Sequence, residues 1–340
     1  MKNKVPGCLI IFLAVALFAS ICVNALQLAA CFGFDESAVG FVQPKQHFSE
    51  VLEQHGAKDS KDKIVRIDLE GIIESGSAGE LFSHNGMDVD GVKCALEQAL
   101  GDKNVKAIVL RVNSPGGEVT ASDTLYHAIK EAAKKKQIIV YMDSMAASGG
   151  YYLSCGASKI VANETTLTGS IGVIIQTLNY SQTFGKIGLE TMTFVSGNFK
   201  DTLHGARPMR DDEKAYVQGL VNQMYDKFLG IVSEARGIPK DQLKGGIADG
   251  RVFTGHEALQ KKLVDQLGYV EDAYALAKKL GVSPDASVVK YQHHASLVDI
   301  FSVFGKATAS SNRLNIDISD RLLPRLEAGR MYLLPAHMVP

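Results

Sequence analysis

From residue 64 onward the chain alternates short β-branched runs with stretches of helical spacing, and that alternation narrows the folds open to it more than any other feature. Residues 64–69, 107–112, 138–142 and 159–162 read as strands, with 171–175 and 191–195 as two further ones. Residues 88–100 and 120–136 have helical spacing between them. Strands separated by helices predict an α/β fold with a largely parallel sheet. The longest helix is expected over 211–235, capped by Asp211, with an apolar stripe of Val217, Leu220, Val221, Met224, Phe228, Ile231 and Val232. Such a stripe serves as core or oligomer surface.

The N-terminal end follows another rule. Residues 5–34 carry no charge, long enough for the roughly 20 apolar residues that cross a bilayer. Lys2 and Lys4 precede the run while Asp35 and Glu36 follow it, so the N-terminus is expected in the cytoplasm and the bulk of the chain on the outer side of the cytoplasmic membrane. Leu28-Ala29-Ala30-Cys31 also resembles a bacterial lipobox, which would remove residues 1–30 and lipidate Cys31. Either route tethers the protein to membrane lipid. The expected division is then an anchor or lipoprotein signal (1–34), a polar stalk (35–62), the main α/β domain (63–281) and a C-terminal extension (282–340). The stalk holds Ser60-Lys61-Asp62-Lys63, an S-x-x-K match that so hydrophilic a stretch produces by coincidence. The extension contains His293-His294 and the apolar 331–335, neither of which points to a function.

Composition removes several classes of function. With 36 basic against 37 acidic side chains, no net field draws the protein to nucleic acid. Only Cys94 and Cys155 fall in the folded part, which suits buried thiols better than a disulfide scaffold. The chain has no G-x-G-x-x-G, Walker loop, H-E-x-x-H or C-x-x-C, so no cofactor and no metal is expected.

Two glycine-rich segments follow predicted strands and lead into helices. In Asn113-Ser-Pro-Gly-Gly117, Gly116 and Gly117 leave backbone amides clear of side chains, as an oxyanion hole requires. In Met145-Ala-Ala-Ser-Gly-Gly-Tyr-Tyr152, Ser148 is expected to expose its hydroxyl at a helix N-terminus, with the Gly149 amide as a further oxyanion donor. Spacing alone equally allows tight turns with Ser148 as a helix cap. A serine nucleophile needs a base, and no histidine lies between Ala128 and Leu203; His127, His204 and His256 have no recognisable context. Lys200 in Gly197-Asn-Phe-Lys-Asp201 can serve if burial keeps it neutral, although a loop lysine taken alone reads as a solvated charge.

These segments, with Thr168-Gly-Ser-Ile-Gly-Val173, Ala248-Asp-Gly-Arg-Val-Phe253 and Leu263-Val-Asp-Gln-Leu-Gly268, occur in the order seen in the signal peptide peptidase A family, and over about 64–280 the chain resembles its short bacterial form. The resemblance implies a ClpP/crotonase-like fold and a Ser/Lys dyad, with Ser148 as nucleophile, Lys200 as base and Ser170 orienting the amine. It also implies peptide substrates (signal peptide remnants and other membrane-derived or unfolded chains) and a homo-oligomeric ring in which neighbours supply Ser and Lys. The helix from Asp211 and residues 254–268 are candidate oligomer contacts. Phe199 stands where the family commonly has tyrosine. A crotonase-type acyl-CoA enzyme and a non-catalytic membrane scaffold are the alternatives; the first would need carboxylate acid/base groups in the pocket, and the second leaves Ser148 and Lys200 without a role.

Overall fold

The computed structural model describes residues 47–58, 60–75, 86–293 and 332–333, together with 17, 18, 20, 21, 23 and 24. The chain divides into two units, Met1–Lys45 and Gln46–Pro340. In the first, the few described residues are helical and exposed. Among the described residues no helix is long and apolar enough to cross a membrane. The expected anchor and Cys31 lie outside the described residues, apart from those few positions.

In the second unit, β1 (Phe48–Gln54), β2 (Lys63–Glu70), β5 (Val105–Ser114), β7 (Gln137–Ala147), β8 (Lys159–Ala162), β11 (Gln266–Leu267) and β12 (Ser287–His293) form a sheet in the order β1-β12-β2-β5-β7-β8-β11. Every neighbouring pair from β12 to β11 is parallel, and β1 is antiparallel to β12. A parallel sheet covered on both faces needs strands apolar on both faces. β5 meets this with Ala107, Ile108, Val109, Leu110 and Val112, each fully buried. Ile108 and Leu110 join the core under α1 (Val89–Gly101), α2 (Val119–Ala133), α3 (Gly149–Ser154) and part of α5 (Asp211–Arg236). Ala107 and Val109 face a second core with Tyr274 and Ala277 of α7 (Val270–Leu280). Shorter helices include α4 (Ser181–Lys186) and α6 (Gly255–Gln260), with a helical turn and a π-helical turn over Lys240–Gln242 and Leu243–Ile247.

A short strand β9 (Leu167–Gly169) pairs in parallel with the last residues of β7 and antiparallel with β10 (Val252–Thr254). A separate small sheet has the order β13 (Tyr332–Leu333), β6 (Gly117–Glu118), β3 (Ile72–Glu74) and β4 (Gly86–Asp88). The sheet therefore places the loops after β5 and β7 side by side at strand C-termini, where open α/β sheets bind ligands.

The four firm strand expectations hold, and so do the three helices. Asp88, with its side chain accepting from the Gly91 amide, caps α1. Four details differ. Residues 171–175 form no strand, because the ladder with β7 belongs to 167–169 just before them. Residues 191–195 are irregular and exposed: Met192 and Phe194 are 80% and 93% accessible and pair with no neighbour strand. At α5, Arg210 rather than Asp211 stands at the cap, its amide donating to Glu213 Oε2 at 2.9 Å. Lastly, within the polar stretch read as a stalk, residues 48–54 form β1, and within the tail 287–293 form β12 beside β2. The α5 stripe divides: Phe228, Ile231 and Val232 are core, while Val217, Leu220, Val221 and Met224 are half-buried.

Candidate active site

β7 ends at Ala147 and α3 begins at Gly149, so Ser148 alone makes the turn from strand to helix. It does so at φ 52° and ψ −112°, a conformation that L-residues adopt only at a cost of roughly 1–3 kcal/mol. What holds it there is burial: all six residues of α3 are buried, and Tyr151 and Tyr152 anchor the helix by donating to Leu263 O at 2.9 Å and Asp123 Oδ1 at 2.7 Å. The Ser148 amide donates to Gly169 O at 2.8 Å, tying the turn to β9. Its hydroxyl is fully buried, contrary to the exposed position expected from sequence, because α3 packs down on the sheet. The helix-cap reading also fails, since the side chain makes no capping hydrogen bond; among the described residues Ser148 Oγ has no hydrogen-bond partner.

The glycine loop after β5 meets this turn at Gly149. A Cβ there would lie 2.5 Å from Ser122 Oγ, 3.0 Å from Gly116 Cα and 3.1 Å from Gly117 N, so only hydrogen fits. Gly117 is equally tight against β3, where a Cβ would lie 2.0 Å from Ile73 O. The predicted oxyanion residues Gly116, Gly117 and Gly149 are thus brought together with Ser148. Their amides differ, however. The Gly116 amide donates to the buried Ser114 Oγ at 3.1 Å, whereas the Gly149 amide opens a helix and has no carbonyl one turn back to bond within it.

Ser170 immediately follows the residue that accepts from Ser148. It is buried and left-handed (φ 49°), its amide donating to Arg251 O at 2.8 Å. Lys200 has the opposite setting. Every residue from 185 to 200 is exposed, and among the described residues the Lys200 amine makes no hydrogen bond or ion pair. Around it the loop is pinned. Phe199 packs at a tilt against Tyr216, ring centres 5.3 Å apart, under the Arg210 guanidinium at 5.7 Å. Asp201 is gripped at both oxygens by Arg207 at 2.7 Å each. Arg207 also donates to the fully buried Glu213, at 2.9 and 2.5 Å. Sequence reading missed Arg207 and Glu213; the signal available was the charged run Arg207-Pro-Met-Arg-Asp-Asp-Glu213 directly after the lysine loop.

A third pairing links the strand ends. Arg111 of β5 forms ion pairs with Glu70 of β2 and Asp143 of β7, and Asp68 of β2 is held by Arg66 and Lys290, each at 2.8 Å. Burial works against the Asp68 charge, yet these cations keep its carboxyl below the usual range.

Other candidates fall away. Lys63 of the S-x-x-K match is bound to Glu50 and Asp102 at 2.5 and 2.7 Å. Burial opposes its charge, but the two carboxylates win and raise its pKa, the wrong direction for a base. His256 lies against Gln260, and no histidine bonds to Ser148 among the described residues. Cys94 and Cys155 form no disulfide, and burial pushes the Cys155 thiol up to about 12. No group of metal-ligating side chains occurs among the described residues. His294 lies outside them, as does the His293 side chain. A cleft of ≈460 Å³ lined by Phe48, Met87, Val92 and Tyr291 contains none of the predicted site residues.

A buried, unpartnered hydroxyl on a strand-to-helix turn, beside glycine amides, is the equipment of a serine hydrolase. Residues 130–283 match peptidase family S49. The chain is 37% identical over 272 residues to an Enterococcus faecium protein named "Putative signal peptide peptidase SppA", covering 79% of this chain and 78% of that one. It is 33% identical over 225 residues to the chloroplastic serine protease SPPA of Arabidopsis thaliana, covering 65% of this chain and 33% of that protein. It is also 31% identical over 256 residues to Protease 4 of Haemophilus influenzae, covering 75% of this chain and 41% of that one. The chain belongs to peptidase family S49 and is a serine protease.

Proposed function

We propose that this protease cuts signal peptide remnants and other unfolded, membrane-derived peptides at the outer face of the cytoplasmic membrane, on a ClpP-like scaffold and through a Ser148/Lys200 dyad. The observation that carries the reading is Ser148 itself: a strained, buried hydroxyl that satisfies no structural bond is explained by reaction with something that enters. Neutral Lys200 takes the hydroxyl proton, Ser148 Oγ adds to the scissile carbonyl, and the Gly117 and Gly149 amides receive the oxyanion. The lysine returns the proton to the leaving amine, and water then releases the acyl group by the same route. Gly116, whose amide is already engaged, shapes the loop. Ser170 orients the lysine amine from beside the nucleophile.

Lys200 lies on an exposed stretch rich in Leu189, Met192, Phe194 and Val195, so we assign it to the nucleophile of a second copy of the chain, in a ring. An extended substrate fits the small sheet, where Tyr332–Leu333 already lies antiparallel on β6 beside Gly117. The apolar run 5–34 supports a membrane tether, retained or through Cys31.

The test is hydrolysis of a fluorogenic peptide panel by the full-length protein. Ser148→Ala and Lys200→Ala should each lose at least about 10³-fold in rate, as expected for groups acting as a unit. Mixed, the two inactive variants should regain activity, because some interfaces then pair an intact serine with an intact lysine. Full activity in Lys200→Ala would refute the base, and mixing without recovery would refute its supply by a neighbour.

A further inference from the structure

The base assigned above has an awkward neighbour. A lysine serves as a base only when neutral, and a carboxylate within a few ångströms favours its charged form by about 1–3 pH units. Asp201 follows Lys200 directly. Left to itself, its carboxylate would be a charge one residue away along the chain from the amine.

The structure shows what becomes of that carboxylate. Arg207 closes on it with Nε and one terminal nitrogen in a two-pronged grip, both contacts at 2.7 Å, leaving no oxygen without a cation. The same guanidinium rests on Glu213, which is fully buried in the first turn of α5. Glu213 in turn takes Arg210 at 3.1 Å and Thr202 Oγ1 at 3.3 Å. The Asp201 and Glu213 carboxylates are thus matched by two guanidiniums in a cluster anchored in a helix. The other ionisable groups around it are Asp212, paired with Arg210 at 3.0 Å, and His204, whose amide donates to Asp201 O at 3.0 Å. Asp211 at the start of α5 is taken by Lys214 at 2.9 Å. None of them bonds to the Lys200 amine among the described residues.

We infer that Arg207, seated on Glu213, is a positioning residue for Lys200: it locks the Asp201 carboxylate in a closed ion pair, so that the adjacent amine is both aimed and free to lose its proton. The inference rests on Lys200 being the base. Consistent with the geometry, the Arg207 contact holds the Asp201 and Glu213 carboxyls down to about 2. A merely structural bridge would leave the proton affinity of Lys200 unmoved when the Asp201 charge is exposed or removed. A charge-neutralising one would not, and the two roles separate on that point.

The experiment is the pH profile of kcat/KM for peptide hydrolysis by full-length protein. In Arg207→Gln the freed Asp201 carboxylate should move the acid limb up by about one pH unit and cut activity at neutral pH about tenfold. Arg207→Gln/Asp201→Asn should bring the limb back, since the offending charge is gone although the bridge is still broken. Asp201→Asn alone, which keeps the Arg207–Glu213 contact, should shift the limb below its original place and does not depend on the folding of an Arg207 variant. An unmoved limb in Arg207→Gln, no recovery in the double variant, or an upward shift in Asp201→Asn would each overturn the inference. Should Lys200→Ala itself stay active, the base assignment fails; should it be inactive while Arg207→Gln is unshifted, only the role of Arg207 fails.

Discussion

The Ser148 turn and the Lys200 loop are held in place by opposite means. Around Ser148 everything is buried: α3 has no exposed residue, and the turn is wedged between β9 and the Gly116–Gly117 loop with no room for a methyl group. Around Lys200 every residue from 185 to 200 is exposed, and the loop is kept in shape by ion pairs and one tilted aromatic contact. Packing can hold a residue in a strained conformation because relaxation would open a void. Charge pairing can hold a loop that has little core to lean on, but only within the pH range where both partners are ionised. The two halves should therefore respond differently to substitution and to acid.

The largest difference is expected at Gly149. Gly149→Ala forces a methyl group to within 2.5 Å of Ser122 Oγ and about 3 Å of the opposing backbone, and overpacking of this kind costs roughly 1–3 kcal/mol. Urea unfolding should show that loss, and Ser122→Ala should recover part of it, because it removes the first contact and leaves the backbone ones. A neutral Gly149→Ala would mean that the turn is not packed tight. A smaller effect should appear in acid. Asp201 and Glu213 have carboxyls held to about 2, below their ordinary values of 3.8 and 4.5, so their bridge is intact above those ordinary values and is lost as pH falls toward about 2. Pepsin cleavage at Phe199 should accordingly rise as pH drops below about 4 while the region around Ser148 stays resistant. Equal resistance in both would erase the contrast. The smallest effect belongs to Phe194→Asp: at 93% exposure it should change protomer stability by less than about 0.5 kcal/mol, yet lower the assembled fraction in sedimentation. A large stability loss would show that this stretch is core after all.

The same contrast explains what could be read in the sequence. The strands of the sheet centre were legible because burial on two faces demands continuous β-branched runs, as at 107–112 and 138–142. That rule misled at 191–195, where a run of β-branched and apolar residues lies on the surface. β1 went unread because Phe-Ser-Glu-Val-Leu-Glu-Gln is mostly polar and pairs only with β12, more than 230 residues later, a contact that no local pattern announces. At the site, the glycines beside Ser148 were read as clearing amides of side chains, and the Cβ distances at Gly117 and Gly149 add a packing reason for them that the sequence did not show. The burial of Ser148 was hidden, since it depends on where α3 lands. Which residue would hold Asp201 could not be told from the sequence: five positions separate it from Arg207, in a loop with no periodicity to exploit.

One feature of β7 bears on how the protein breathes. Its outer edge is not served by one partner strand: β8 pairs with 139–142, the chain turns through 163–166, and β9 takes over at 145–147. The two partners lie end to end and lean on different outer neighbours, β8 on β11 and β9 on β10. A single strand therefore crosses two cooperative units, and its amide protons should fall into two classes of solvent exchange. Those around 139–142 would open only with the whole domain, while those of 145–147, leading into Ser148, could exchange through excursions of the β9–β10 hairpin that leave the rest of the sheet shut.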